Sequence, residues 1–209
     1  MAVARAFVAQ RYQHEDGFLL RHWRGQWWAW KTSHWAEIEL RQVRAGVYGF
    51  TEHARYEDGD KAKPWSPNRF KVANVLEALG GIVLLSQNID QPSWLDGDHG
   101  GVIVSCSNGL LDVPTRTLHA HTPRFFNQTS VPFGFDPEAA RPLRWLCFLD
   151  DLWARDKGQI AALQEWFGYV LSGRLDLLRR LPGASSHCCS PRVGLAKRTP
   201  RLSLSCTRS

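Results

Sequence analysis

The period of hydrophobic and polar positions changes several times along the chain. From Phe18 to Lys31 the pattern is that of a hairpin. Leu19, Leu20 and Trp23 lead into Arg24-Gly25-Gln26, and Trp27-Trp28-Ala29-Trp30 leads out. Aromatics favour a pleated surface and the glycine marks a turn. From Trp35 to Val43 the spacing of Trp35, Ile38 and Val43 among Glu37, Glu39 and Arg41 predicts a helix. Tyr48 to Tyr56 extends it, against the low helix propensity of Gly46 and Gly49. Residues 57–65 read as a polar loop. A second helix follows, capped by Ser66 with Pro67 in its first turn and ended by Gly80-Gly81; Phe70, Ala73, Leu76 and Leu79 line one side. Ile82 to Leu85 is a short strand or an extension of that helix.

Asp90 to Gly101 is rich in turn residues. Val102 to Cys106 reads as a buried strand, Asn108-Gly109 as a turn, and Leu110 to Val113 as a returning strand. Pro114-Thr115-Arg116 turns again into a strand over Thr117 to His121. Thr122 to Pro137 shows no period. Two helices close the patterned region. One spans Arg141 to Trp153. The other spans Lys157 to Leu171, with Asp156 as its cap and Ile160, Leu163, Phe167, Val170 and Leu171 as its apolar face. The fold class is therefore α+β: an N-terminal aromatic hairpin with helices, a small central sheet, a C-terminal helical pair and a disordered tail.

The tail is set apart by composition. Residues 178–209 contain no acidic and no aromatic residue, although the chain has 20 acidic residues and ten tryptophans. The net charge of +6 belongs to this tail. Its seven cations, Arg179, Arg180, Arg192, Lys197, Arg198, Arg201 and Arg208, are drawn from 26 in all, which leaves 19 against 20 acids, or −1, for the rest. A basic patch on the folded part is thus not implied by the overall charge. The organisation expected is a segment 1–14, a folded domain 15–177 and a basic tail 178–209. Two separated thiols in the domain, Cys106 and Cys147, suit a reducing cytoplasm better than a disulfide scaffold. No signal peptide and no membrane span is expected.

Chemistry is sparse. Arg21, Arg24, Trp28, Trp30 and Lys31 interleave cations with aromatic faces, a combination that stacks unpaired bases and holds a phosphate backbone. The same side chains suit a sugar platform, or simply fill a hydrophobic layer, which is the commoner use of clustered indoles. His119 and His121 share a strand face but lack the further ligands of a metal site. His187-Cys188-Cys189 lacks zinc spacing, and Asp96-Gly97-Asp98 lacks the remaining ligands of a calcium loop. Asp150-Asp151, with Glu138 or Asp156, reads as solvated charge at helix ends. Ser105 and Ser107 flank Cys106 with no base placed by any pattern. No catalytic, cofactor or metal residue is assigned.

Taken in order, several segments carry a resemblance: Arg24-Gly25-Gln26-Trp27-Trp28-Ala29-Trp30, Trp65-Ser66-Pro67, Ser107-Asn108-Gly109-Leu110-Leu111-Asp112-Val113, Leu118-His119-Ala120-His121-Thr122-Pro123, Val131-Pro132-Phe133, Trp145-Leu146-Cys147-Phe148-Leu149 and Leu163-Gln164-Glu165-Trp166-Phe167-Gly168-Tyr169. Over residues 15–177 the chain resembles the region upstream of the superfamily 3 helicase motor in phage and plasmid primase-helicases. That region is shared with the N-terminal-like domain of the poxvirus primase-helicase. For an intact relative the resemblance implies DNA as partner, ATP and magnesium as cofactors, and a ring-shaped homo-oligomer. For this chain it implies a replication protein truncated before its motor. The alternative is a stand-alone module that binds single-stranded nucleic acid or a protein partner. A third reading is a decayed product whose uncovered Trp166, Phe167 and Tyr169 drive aggregation.

A P-loop needs backbone N–H groups, a lysine and a hydroxyl arranged as G-x-x-x-x-G-K-[ST], and the chain has no Gly-Lys pair. The expected outcome of an ATPase assay on the purified protein is turnover at background. The acid-free tail reads as a frameshifted segment or as a natural disordered one. The frameshift reading expects a strand and P-loop in one of the other two reading frames after Leu177, which the nucleotide sequence checks directly.

Overall fold

The computed structural model describes residues 1–59, 61–97, 101–153 and 156–172; the basic tail lies outside them. In chain order the elements are α1 (Ala2–Arg11), β1 (Gln13–His14), β2 (Gly17–Phe18), β3 (Leu20–Trp23), β4 (Gln26–Trp30), β5 (Trp35–Ile38), α2 (Leu40–Thr51), β6 (Arg55–Asp58), β7 (Lys61–Pro64), α3 (Arg69–Ile82), β8 (Ser93–Trp94), β9 (Ile103–Cys106), β10 (Gly109–Asp112), β11 (Thr117–His119), β12 (Phe125–Phe126), α4 (Leu143–Trp153) and α5 (Lys157–Ser172). Helices and small antiparallel sheets make the fold α+β.

The aromatic hairpin forms as its pattern predicts. Trp23 pairs with Gln26, so Arg24 and Gly25 are the two loop residues, with φ of 49° and 79°. Two positive φ values in a two-residue loop match the twist of the flanking strands. Positive φ is unfavourable for arginine. Here the Arg24 guanidinium stacks 4.3 Å over the Trp23 ring, donates to the carbonyls of Gln87 and Ile89, and pairs with Asp90 at 2.7 Å.

β5 replaces the expected helix at Trp35. It pairs antiparallel with β4, Trp35 opposite Trp30 and Ile38 opposite Trp27, and makes β4 the central strand. Residues two apart share a strand face, so Trp35 and Ile38 lie on opposite faces. Both faces are covered, which is why both positions are apolar and why their spacing mimics a helix. On one face Leu20, Trp27 and Ile38 meet Phe7 and Val8 of α1, Val43 and Val47 of α2, and Val72, Leu76 and Leu79 of α3. On the other, Trp23, Trp28, Trp30 and Trp35 meet Leu85, Ile89, Leu95 and Phe126. Phe126 has no exposed surface, and its ring lies 5.1 Å from Trp23 and 5.7 Å from Trp35.

The helices depart from expectation in instructive ways. Residues 2–11, from which no element was read, form α1 and bury Ala4, Phe7 and Val8. The helix beyond Trp35 is α2, starting at Leu40 and ending at Thr51 rather than running on to Tyr56. The expected polar loop at 57–65 belongs to an exposed ribbon, β6 paired with β7; its strands carry charge on both faces, so no alternation announced them. α3 is capped by Asn68, whose side chain accepts from the Lys71 N–H at 2.9 Å, not by Ser66, and it runs through Gly80-Gly81. A three-residue spacing turns by about 300° per step, so Phe70 ends up opposite Leu79 and is 78% exposed. The buried face is Val72, Val75, Leu76 and Leu79.

Beyond α3, residues 83–85 run beside β3: His22 N–H donates to Val83 O at 3.0 Å, and Leu85 N–H to His22 O at 2.9 Å. β9, β10 and β11 form a meander. Its first turn is Ser107-Asn108 rather than Asn108-Gly109, because Gly109 already pairs with Cys106. Gly109 is required for another reason: a Cβ there would lie 2.4 Å from the His119 carbonyl oxygen, at φ +156°. Asn108 instead clamps Phe135, donating to its carbonyl at 2.8 Å and accepting from its N–H at 2.9 Å. The strand at Thr117 ends at His119, and the irregular stretch after it contributes β12, paired with β8. Asp156 caps α5, accepting from Gly158 and Gln159.

Gly109→Ala is expected to lower unfolding stability by about 2 kcal/mol or more, since overpacking and an incompatible φ act together. Phe126→Ala is expected to cost about 3–5 kcal/mol through the cavity it leaves between indoles. Urea denaturation followed by tryptophan fluorescence checks both.

Candidate nucleic-acid interface

The five residues singled out from the sequence do not form one surface. Trp28 is 8% exposed, with its ring edge-on to Trp23 and Phe126 at 5.9 and 6.1 Å. It fills the layer beneath the sheet and presents no free face to a base. Arg21 stands opposite Trp28 in the strand register, half-buried, with its guanidinium 5.3 Å over the Phe18 ring. Burial lowers its pKa. Arg24 is exposed, but its donors are committed to the 87–90 loop.

Trp30 and Lys31 are placed differently. They leave the end of β4 and line an open cleft of about 310 Å³ whose other walls include Arg11, Tyr12, Ile38 and Gln42. The main chain sets this juxtaposition: Leu19 N–H donates to Tyr12 O at 2.8 Å, and Trp30 N–H donates to Leu19 O at 3.0 Å. The end of α1 is thereby held one chain away from the end of β4. Trp30 is half-buried, edge-on to His14 at 5.6 Å, and Tyr12 is half-buried, edge-on to Phe7 at 5.5 Å. Burial raises the Tyr12 pKa, and the Arg11 charge pulls it back in part. The phenol is therefore a neutral donor at neutral pH. Arg11 and Lys31 are exposed, and neither forms an ion pair among the described residues.

The cleft thus brings Arg11-Tyr12 beside Lys31 from positions far apart in the chain, with Trp30 at its edge and its ring packed toward Trp28 and Trp35. Chemically it offers two cations for phosphates and one half-buried ring, Tyr12, for a planar group, because the Trp30 side chain lies on the strand face away from Ala29 and Ile38, with Trp28 and Trp35. Arg11, Tyr12 and Gln42 were not foreseen. The pairing of a cation with a ring at Arg11-Tyr12 is the same signal that marked Trp30-Lys31, but the segment 1–14 carried no predicted element to place it.

The remaining candidates are dispersed. His119 is exposed at the end of β11, and His121 lies beyond that strand. No group of three His, Cys, Asp or Glu side chains able to hold a metal exists among the described residues. Ser105 is buried and donates to the Ser33 carbonyl at 2.7 Å. Cys106 is buried beside it, and burial raises its thiol pKa, away from a nucleophilic thiolate. Asp98 and His187-Cys188-Cys189 lie outside the described residues. No described helix is long and apolar enough to cross a membrane.

A model of the D5 N-terminal-like family matches residues 5–154. No curated protein matches the chain. The matched range begins inside α1 and ends just past α4, so it spans the cleft, both core layers and the meander.

Burial separates the two halves of the aromatic hairpin by experiment. Trp28→Ala is expected to destabilise the fold by about 3–5 kcal/mol, whereas Lys31→Ala is expected to stay within about 0.5 kcal/mol of the parent. Denaturant midpoints measured on the two variants check the contrast.

Proposed function

Because the chain belongs to the D5 N-terminal-like family, the N-terminal-like region of primase-helicase replication proteins, we propose that it serves DNA replication as a non-catalytic segment that holds single-stranded DNA in the cleft between α1 and the end of β4. Its place in a phage or plasmid replication protein, ahead of an ATP-dependent motor, belongs to the same reading. One observation carries the proposal: two cations and a ring from separate elements, Arg11 and Tyr12 at the end of α1 and Lys31 after β4, line one open cleft. Lysine and arginine neutralise phosphates without regard to sequence, and stacking on aromatic rings accepts every base. The cleft therefore suits a strand that passes through rather than a sequence that is read. Binding of this kind falls with added salt, because neutralised phosphates release counterions.

Fluorescence anisotropy with a single-stranded oligonucleotide over a salt series tests the reading. Log affinity is expected to fall linearly with log salt. Arg11→Ala and Lys31→Ala are each expected to lower the slope by about 0.7. Tyr12→Ala is expected to cost about 1–3 kcal/mol of affinity, and Arg24→Ala to leave the slope unchanged. Absence of salt-dependent binding by the parent chain ends this reading.

A further inference from the structure

A second open cleft, of about 480 Å³, lies toward the other end of β4. Its walls include His22, Trp27, Leu40, Arg44, Glu77 and Gly81. Trp27 lines this cleft and Ala29 lines the one at Lys31. The two residues are two apart in one strand, so both clefts lie over the same face of the sheet.

The first turn of α2 stands between them. Leu40 and Arg44 line the second cleft, and Gln42 lines the first. At about 100° per residue, Arg44 lies about 40° round the helix from Leu40, Arg41 about 100° and Gln42 about 200°. The buried Val43 and Val47 occupy the opposite side. The outward arc therefore runs from Arg44 through Arg41 to Gln42, from one cleft to the other. Arg41 is exposed and Arg44 half-buried, and neither forms an ion pair among the described residues, with Glu77 on the far wall or with Glu39 at the N-cap.

The second cleft also has room for a flat group. The His22 ring is half-buried and lies 4.7 Å from the Trp27 ring, tilted by 36°. α3 runs on beside it through Gly80-Gly81, although only proline is a poorer helix former than glycine. Neither glycine has a positive φ. A Cβ at Gly81 would meet nothing within 4 Å, and one at Gly80 would make only ordinary contacts, the nearest 3.6 Å from His22 Nδ1. The fold itself thus does not require glycine at either position. What the pair provides is bare helix backbone on the cleft side, where a planar group can come close.

We propose that a bound single strand crosses the first turn of α2 and sets a further base in the second cleft, beside His22 and over Gly80-Gly81, with its phosphates on Arg11, Lys31, Arg41 and Arg44. This rests on the reading of the first cleft as a single-strand site and adds the path and the footprint. α2 is about 10–12 Å across with its side chains, so a strand that reaches both clefts spans several nucleotides, within the roughly 4–16 of known single-strand grooves. Cations along the whole path and rings only at its two ends give a strand held mainly by its phosphates.

Fluorescence anisotropy of the full chain with oligothymidines of about 4 and about 16 nucleotides, each over a salt series, tests this. The short strand cannot reach all four cations at once, so the parent's salt slope is expected to be steeper for the long strand by about 1.4. With the long strand, Arg41→Ala and Arg44→Ala are each expected to lower the slope by about 0.7, and Arg44→Lys to keep it. Gly81→Leu fills the second cleft and is expected to weaken the long strand about fivefold or more, the loss of one stacked base. Circular dichroism shows whether each variant folds, and Arg41→Ala, at an exposed position, decides if Arg44→Ala does not. The tail's seven cations add to every variant's slope alike, so the differences carry the test. A long-strand slope that falls for Arg11→Ala but ignores Arg41 and Arg44 overturns the path and leaves the first cleft standing. Equal slopes for the two lengths do the same. A slope that ignores Arg11 and Lys31 as well overturns both readings.

Discussion

The double covering of β4 is the constraint from which the rest of the domain follows. Trp27 faces the layer of α1, α2 and α3, while Trp28 and Trp30 face the layer built from residues 85–95 and 126. Neither layer can be lost without returning indole surface to water. A buried tryptophan removes about 150–250 Å², which at about 25 cal/mol per Å² is on the order of 4–6 kcal/mol by area alone. The sheet has only three strands, so it is the two layers together, more than the ladder, that hold it. The lower layer is not a regular element, which explains why it needs fastening. Arg24 ties the 87–90 loop to the hairpin turn, the Trp35 N–H donates to Asn127 O at 2.8 Å, and Arg124 pairs with Asp16 at 2.8 Å.

The candidate interface is a by-product of where this covering stops. At the end of β4 the strand leaves the sheet and the end of α1 comes alongside, so rings and cations that begin in the core finish at the surface. Tyr12 and Trp30 are half-buried for that reason. The Tyr12 ring is held edge-on by Phe7 on the cleft side, while the Trp30 ring is held by His14 on the other side of the sheet. A ring anchored on one side loses little conformational freedom when a planar group arrives on the other. Trp28, two residues before Trp30 on the same strand face, lies wholly within the core, and the contrast shows how sharply access changes along one strand.

The C-terminal helical pair obeys the opposite economy. Its apolar face is laid out with helical regularity, yet most of it is not covered by the described residues. The sheet domain satisfies its tryptophans internally, whereas α4 and α5 carry Trp145 and Trp166 outward, bordered by exposed charges. Two regions of one chain with similar aromatic content therefore have different physical roles: one closes a core, the other is suited to association.

How much of this was legible depended on whether a segment's partners were local. The hairpin turn, the cap at Asp156, both C-terminal helices and the meander were readable, because loop-residue chemistry, helical period and strand alternation act within a few residues. The family was readable too: the ordered short motifs from Arg24 to Leu149 fall within the match over residues 5–154. β5 was misread because a strand covered on both faces has apolar residues without alternation, and three-residue spacing then imitates a helix. α1 was missed because Ala4, Phe7 and Val8 make a weak stripe that only α2 and α3 complete. Sequence by itself determined the aromatic hairpin, the meander, the C-terminal helices and the family. Only the tertiary structure decided that Trp28 is core and Trp30 is rim, and that Arg11 and Tyr12 join the cleft, since burial and adjacency depend on which distant layers cover each position.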